Sequence, residues 1–269
     1  MPATPVPRQR LASDVPAKMV PLLPTVVVGI WKGGAWKTSL AVAIAERLAL
    51  GELRVLLVTV DKQEDARPRL GVKADDPKIA QVTRGAGSVT IIGLRGSKAV
   101  ELLYRTGPGH YGLGTFDIVV MDTPPEEQGA TLPGVLLVAP IDGADGARNL
   151  LATLPTTPAN TDVLLVRVKR ADPKEWQKDV NVIERVAKRP VLYVEDPLPA
   201  SAPVVTAHNT GRSVWSLPRR GCTWEFLIGV ETIASVAWSR LSPKRPWQAL
   251  PPPSKVDIYV PGWDDDDAE

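Results

Sequence analysis

Residues 26–49 read VVVGI-WKGGAWKTS-LAVAIAERLA, and no other stretch narrows the fold of this chain as far. Val26–Ile30 is a short apolar, mostly β-branched run, the pattern of a buried strand. Thr38–Ala49 carries apolar residues at helical spacing and stops at Gly51. Between them, residues 31–38 form a glycine-containing loop. Such a loop ends on the free backbone N–H groups and the positive dipole end of a helix, which together bind anions. Gly33 and Gly34 have no Cβ and let the backbone close on a phosphate. Lys37 supplies charge to the outer phosphates, Thr38 offers its hydroxyl to Mg²⁺, and Ser39 follows in the first helical turn.

Downstream, apolar runs alternate with helical patterns. Strands are expected at Arg54–Val60, Val89–Ile92, Phe116–Met121, Gly134–Ala139, Asp162–Val168 and Val191–Val194. Helices are expected over Ser97–Tyr104, about Asp145–Leu154, Lys174–Ala187 and Cys222–Leu241. Strands that are apolar throughout and alternate with helices imply an α/β fold, a mostly parallel sheet covered by helices on both faces. Ligands then bind at the carboxyl ends of the strands. Two acids fall there: Asp61 closes RVLLVTVD and Asp122 closes FDIVVMD. A carboxylate at a strand tip next to such a loop holds the shell of Mg²⁺ or orients water.

The expected organisation is a Pro-rich arm over residues 1–24, one nucleotide-binding domain over 25–241, and a Pro-rich, then acidic, tail over 242–269 that is expected to be disordered. The tail's last nineteen residues carry a net charge of −5 against +2 for the whole chain, leaving about +7 on the rest, a balance compatible with nucleic-acid contact or with an ordinary surface. A lone cysteine, Cys222, excludes an internal disulfide and a four-thiolate metal site and suits a reducing cytosol. The start lacks the apolar run of a signal peptide, and no segment has the ~20 apolar residues of a membrane span. A cytoplasmic protein without membrane contact is expected. His110 and His208 are far apart and have no motif partner.

In combination these features resemble the ParA/MinD/Soj family of deviant Walker A P-loop ATPases, which position plasmids, chromosomes and other cargo. The family pattern KGGxGKT[ST] reads here Lys32-Gly33-Gly34-Ala35-Trp36-Lys37-Thr38-Ser39. Asp122-Thr123-Pro124-Pro125 is similar to the switch II segment, and Leu198-Pro199, Gly211 and Val214 resemble a late signature near the adenine pocket. The resemblance spans residues 25–215 and implies a P-loop NTPase fold binding ATP and Mg²⁺. It implies that Lys32, Lys37 and Asp61 are catalytic, Lys32 reaching across an ATP-sandwich homodimer and Asp61 helping to activate water. Residues 32–39, Arg167 and Pro199 would contact the nucleotide, and Thr38 and Asp122 the metal. A ParB-like or other adaptor protein, and non-specific DNA held through C-terminal basic residues on the nucleoid, are the implied partners. Those residues are Lys188, Arg189, Arg212, Arg219, Arg220, Lys244 and Arg245, for which a solvated basic face is the equal alternative.

Three positions and one segment depart from the family pattern. Trp36 stands where the family has a glycine; a positive φ there costs a bulky residue about 1–2 kcal/mol, and its indole would stack on a base or a partner surface if not strained in the loop. Thr59 replaces the first acid of the DxD segment, Arg167 stands where an adenine-contacting Asn is common, and nine residues, EEQGATLPG, separate Pro125 from the next strand, which trims a switch II helix. These departures motivate the alternative of a degenerate, non-hydrolysing adaptor. A small-molecule ligase of the same superfamily would need further substrate motifs, and the sequence has none.

Overall fold

The computed structural model describes residues 23–29, 36–60, 65–95, 97–123, 132–168, 173–242 and 246–249. The strands are β1 (Thr25–Val28), β2 (Arg54–Thr59), β3 (Ile79–Arg84), β4 (Gly87–Gly93), β5 (Ile118–Asp122), β6 (Leu136–Ile141), β7 (Asp162–Arg167) and β8 (Leu192–Tyr193). The α-helices are α1 (Lys37–Leu50), α2 (Ala66–Arg69), α3 (Ser97–Thr106), α4 (Gly143–Thr153), α5 (Pro173–Ala187), α6 (Ala202–Asn209) and α7 (Gly221–Leu241). The strands form one sheet in the order β3-β4-β2-β5-β1-β6-β7-β8, parallel throughout except for the antiparallel β3–β4 hairpin.

Alternation along each strand sorts the core into two layers. Val26, Val28, Val55, Leu57, Ile118 and Val120 face α1, α6 and α7. Val27, Leu56, Val58, Val119 and Met121 face α3, α4 and α5. Burial on both faces explains why these strands are apolar between their end residues.

The hairpin strand β3 is absent from the strands expected above. It reads IAQVTR, is half polar and largely exposed, and its pairing with β4 rather than any apolar run holds it in the sheet. The short helices α2 and α6 are likewise not among the expected helices, because neither has the length to show a period.

Within the stretch expected as a tail, residues 246–249 are described and pack on the domain. Trp247 stacks over the Arg47 guanidinium at 4.4 Å and donates from Nε1 to Glu231 Oε1 at 2.9 Å, while Arg47 donates to the Gln248 carbonyl at 2.6 Å. Arg47, on α1, is fully buried and paired with Glu231 of α7. A buried guanidinium needs its donors answered, and the chain beyond α7 answers one of them. The acidic residues 264–269 and the arm over 1–22 lie outside the described residues.

Candidate nucleotide site

The carboxyl ends of β1, β2 and β5 meet the start of α1. Register sets Val28 beside Asp122 and Asp122 beside Thr59. Side chains at 59 and 122 continue the parity of Leu57 and Val120, so both lie on the α1 face of the sheet. Asp122 is 2% exposed and Thr59 is fully buried, and the Thr59 hydroxyl has no hydrogen-bond partner. Lys37, the first residue of α1, is itself 6% exposed, a depth a lysine reaches only where its charge is used. Thr38 is half-buried beside it.

Thr123 ties the two central strands together. Its N–H and its Oγ1 both donate to the Val28 carbonyl, at 3.3 and 3.0 Å. Gly29 follows Val28, donates to the Val138 carbonyl at 3.1 Å, and leaves the space that Thr123 Oγ1 fills; a Cβ there would overlap it.

Trp36 precedes α1 with φ 55° and ψ 5°, the left-handed region. The tryptophan has therefore taken the backbone conformation that favours glycine. Its indole packs on the core beside Phe226 of α7, ring centroids 6.0 Å apart and planes tilted by 44°. The indole is partly buried, and the strain of the positive φ is offset by this packing.

Arg167, the expected adenine contact, shares parity with Val163 and Leu165 and turns to the α5 face. Its guanidinium lies 3.5 Å from Asp179 and 5.5 Å from the Trp176 ring centre. Only its backbone faces the late signature, accepting from Leu198 N–H at 2.8 Å. Pro199 is buried next to that contact, Val214 is in the core, and Gly211 packs on Gly71. Lys32, Gly33, Gly34, Ala35 and Asp61 lie outside the described residues, as do Pro124, Pro125 and the rest of the shortened segment up to Thr131.

The basic residues of the C-terminal half divide into two groups. Lys188 and Arg189 sit past the end of α5, at the amino ends of the strands, and Arg189 Nη1 donates to the Pro158 and Ala159 carbonyls at 2.8 Å. Burial lowers its pKa, and Nη1 is committed to these two carbonyls within the fold. Arg212, Arg219 and Arg220 lie between α6 and α7, on the side of the sheet that Trp36 and Phe226 share, with Arg219 5.9 Å above the Trp224 ring. Lys244 and Arg245 lie outside the described residues.

No family model matches this chain, and no curated protein does. Solved structures match over most of its length. Apo McdA of Cyanothece is 18% identical, covering 78% of this chain and 98% of its own, with a TM-score of 0.57. The septum site-determining protein MinD of Pyrococcus horikoshii, complexed with Mg-ADP, is 16% identical, covering 82% and 100%, with a TM-score of 0.57. The ParA of pNOB8, bound to non-specific DNA, is 14% identical, covering 83% and 100%, with a TM-score of 0.52. At these identities the likeness shows a shared fold: the chain has the P-loop NTPase fold of the ParA/MinD type. Among the described residues no helix is long and apolar enough to cross a membrane, and no group of three or more His, Cys, Asp and Glu side chains is arranged to hold a metal ion.

Proposed function

We propose that this chain is a ParA-like ATPase that binds ATP with Mg²⁺ at the start of α1, dimerises on the bound nucleotide, and positions a DNA or protein cargo with a partner protein. The observation that carries this reading is Trp36. A bulky residue adopts the left-handed backbone at the end of the loop, at an intrinsic cost of about 1–2 kcal/mol, and its side chain is bedded in the core to do so. The backbone that a glycine would give the loop is thereby kept, and Lys37 enters α1 at the carboxyl end of β1.

The residues fit the nucleotide and its metal. An unpartnered buried hydroxyl on Thr59 and the buried Asp122 carboxylate sit across one strand pair, and oxygen donors are what Mg²⁺ takes. Thr38 and Asp122 would hold the ion, which would neutralise the phosphates. Lys37 would pair with the outer phosphates, and the α1 N–H groups would hold their oxygens. Lys32 and Asp61 belong to the same proposal, Lys32 across the dimer and Asp61 at the attacking water. MinD carries Mg-ADP and pNOB8 ParA carries non-specific DNA in their structures, which supports the choice of ligands. We place the DNA contact on the Arg212, Arg219 and Arg220 side, where phosphate contacts need charge alone.

Calorimetry with Mg-ATP, with sedimentation in parallel, tests this. Saturable binding and a shift to dimer, both lost in Lys37→Ala, are expected. Folded parent protein that binds no nucleotide would sink the reading. A second reading, an adaptor that binds ATP without cleaving it, rests on Thr59 in place of an acid. Phosphate release in the presence of DNA and partner decides between the two.

A further inference from the structure

A cation stands at this site that no motif assigns. Arg69, the last residue of α2, donates from Nη1 to Ser39 Oγ at 2.8 Å, in the first turn of α1. Ser39 is buried and Arg69 half-buried. Among the described residues no carboxylate lies within ion-pair distance of Arg69. Its other neighbour is His208 of α6, 1% exposed, with neither ring nitrogen hydrogen-bonded. Burial, and next the Arg69 charge, push the His208 pKa down to about 4, so the histidine is neutral and repels no further than it must.

The fold holds the arginine there by close backbone contact. Gly71 and Gly211 both take positive φ, 84° and 70°. A Cβ on Gly71 would lie 2.7 Å from the Gly211 carbonyl oxygen, and one on Gly211 would lie 2.8 Å from the Gly71 Cα. Only glycines let the ends of α2 and α6 meet this closely. The result is a guanidinium with no counter-charge among the described residues, bonded to the first turn of α1 and so set near the positive end of its dipole. An anion at the start of α1 would be attracted by this guanidinium and by the helix dipole together.

We propose that Arg69 is a further phosphate-binding residue, steered by Ser39 onto the inner phosphates of the nucleotide; the proposal rests on the nucleotide reading above. Lys37 opens the helix and serves the outer phosphates. Ser39 lies two residues further along and faces Arg69, so the guanidinium acts on phosphates that ATP and ADP share.

Mg-ATP and Mg-ADP are titrated calorimetrically into the parent protein, Arg69→Gln, Arg69→Lys and Ser39→Ala, with urea midpoints recorded for each. Arg69→Gln is expected to weaken both nucleotides by the same factor, roughly 10- to 100-fold for a lost charge-assisted bond, with its urea midpoint held. Arg69→Lys should restore part of the affinity, and Ser39→Ala should weaken it less than Arg69→Gln does. Equal affinities in the parent and Arg69→Gln overturn the proposal and leave the nucleotide reading standing. A loss matched by a fall in urea midpoint, with no rescue by lysine, also overturns it. Parent protein that binds neither nucleotide overturns both.

Discussion

Replacing Trp36 with alanine and with glycine separates two terms that the sequence alone confounds. The indole is partly buried against Phe226 and the core. A tryptophan buries 150–250 Å² when fully covered, so about 100 Å² is at stake, or about 2–3 kcal/mol at ~25 cal/mol per Å². Trp36→Ala loses that term and keeps a side chain at φ 55°, so it should fall by about 2–3 kcal/mol. Trp36→Gly loses the same packing and sheds the left-handed penalty, so it should lie about 1 kcal/mol above the alanine variant. Urea denaturation at unchanged slope measures both. Combining Trp36→Ala with Phe226→Ala should reveal a coupling of about 0.5–1.5 kcal/mol. Equal stability of the two Trp36 variants would refute the strain. A glycine variant more stable than the parent would refute the packing term, and with it the account of how the loop tolerates tryptophan.

Gly29→Ala drives a Cβ into Thr123 Oγ1 and should cost about 1–3 kcal/mol by denaturation, with loss of nucleotide binding because the β1 and β5 tips move apart. Trp247→Ala removes the ring over Arg47 and the bond to Glu231, and should lower stability by about 1–2 kcal/mol although it lies outside the domain expected from sequence; an unchanged midpoint would show the docked segment to be idle. His208 stays neutral in the fold down to about pH 4, whereas an exposed histidine takes its proton near 6.5. Above 6.5 neither state is protonated and nothing is lost. Between 6.5 and about 4 only the unfolded chain binds the proton, so stability falls as pH drops, by roughly 3 kcal/mol in full. His208→Leu should flatten that part of the difference curve against the parent, and parallel curves would contradict the assignment.

The strand–loop–helix unit was legible because its chemistry is local. A β-branched run, a glycine-containing loop and a helical period occupy one continuous stretch, and α1 begins within one residue of its expected start. The central strands were legible for a related reason, since burial on both faces leaves them apolar between their end residues. Elements whose stability comes from elsewhere in the chain were not. The strand β3 owes its place to β4, α2 and α6 to glycine contact with each other, and residues 246–249 to a buried arginine two hundred residues away.

The same division runs through the site. Sequence alone set the carboxyl ends of β1 and β5 toward the start of α1, because strand ends and a helix start converge in a parallel sheet. It did not determine the direction of Arg167, because one residue of strand parity separates the α1 face from the α5 face, and the register fixing that parity comes from pairing with β6. Nor did it find Arg69, which reaches Ser39 across thirty residues of chain. Composition placed a tryptophan beside the loop, and only packing against Phe226 decided that its backbone would behave as a glycine's, since the energy that offsets a left-handed residue is supplied by a different helix.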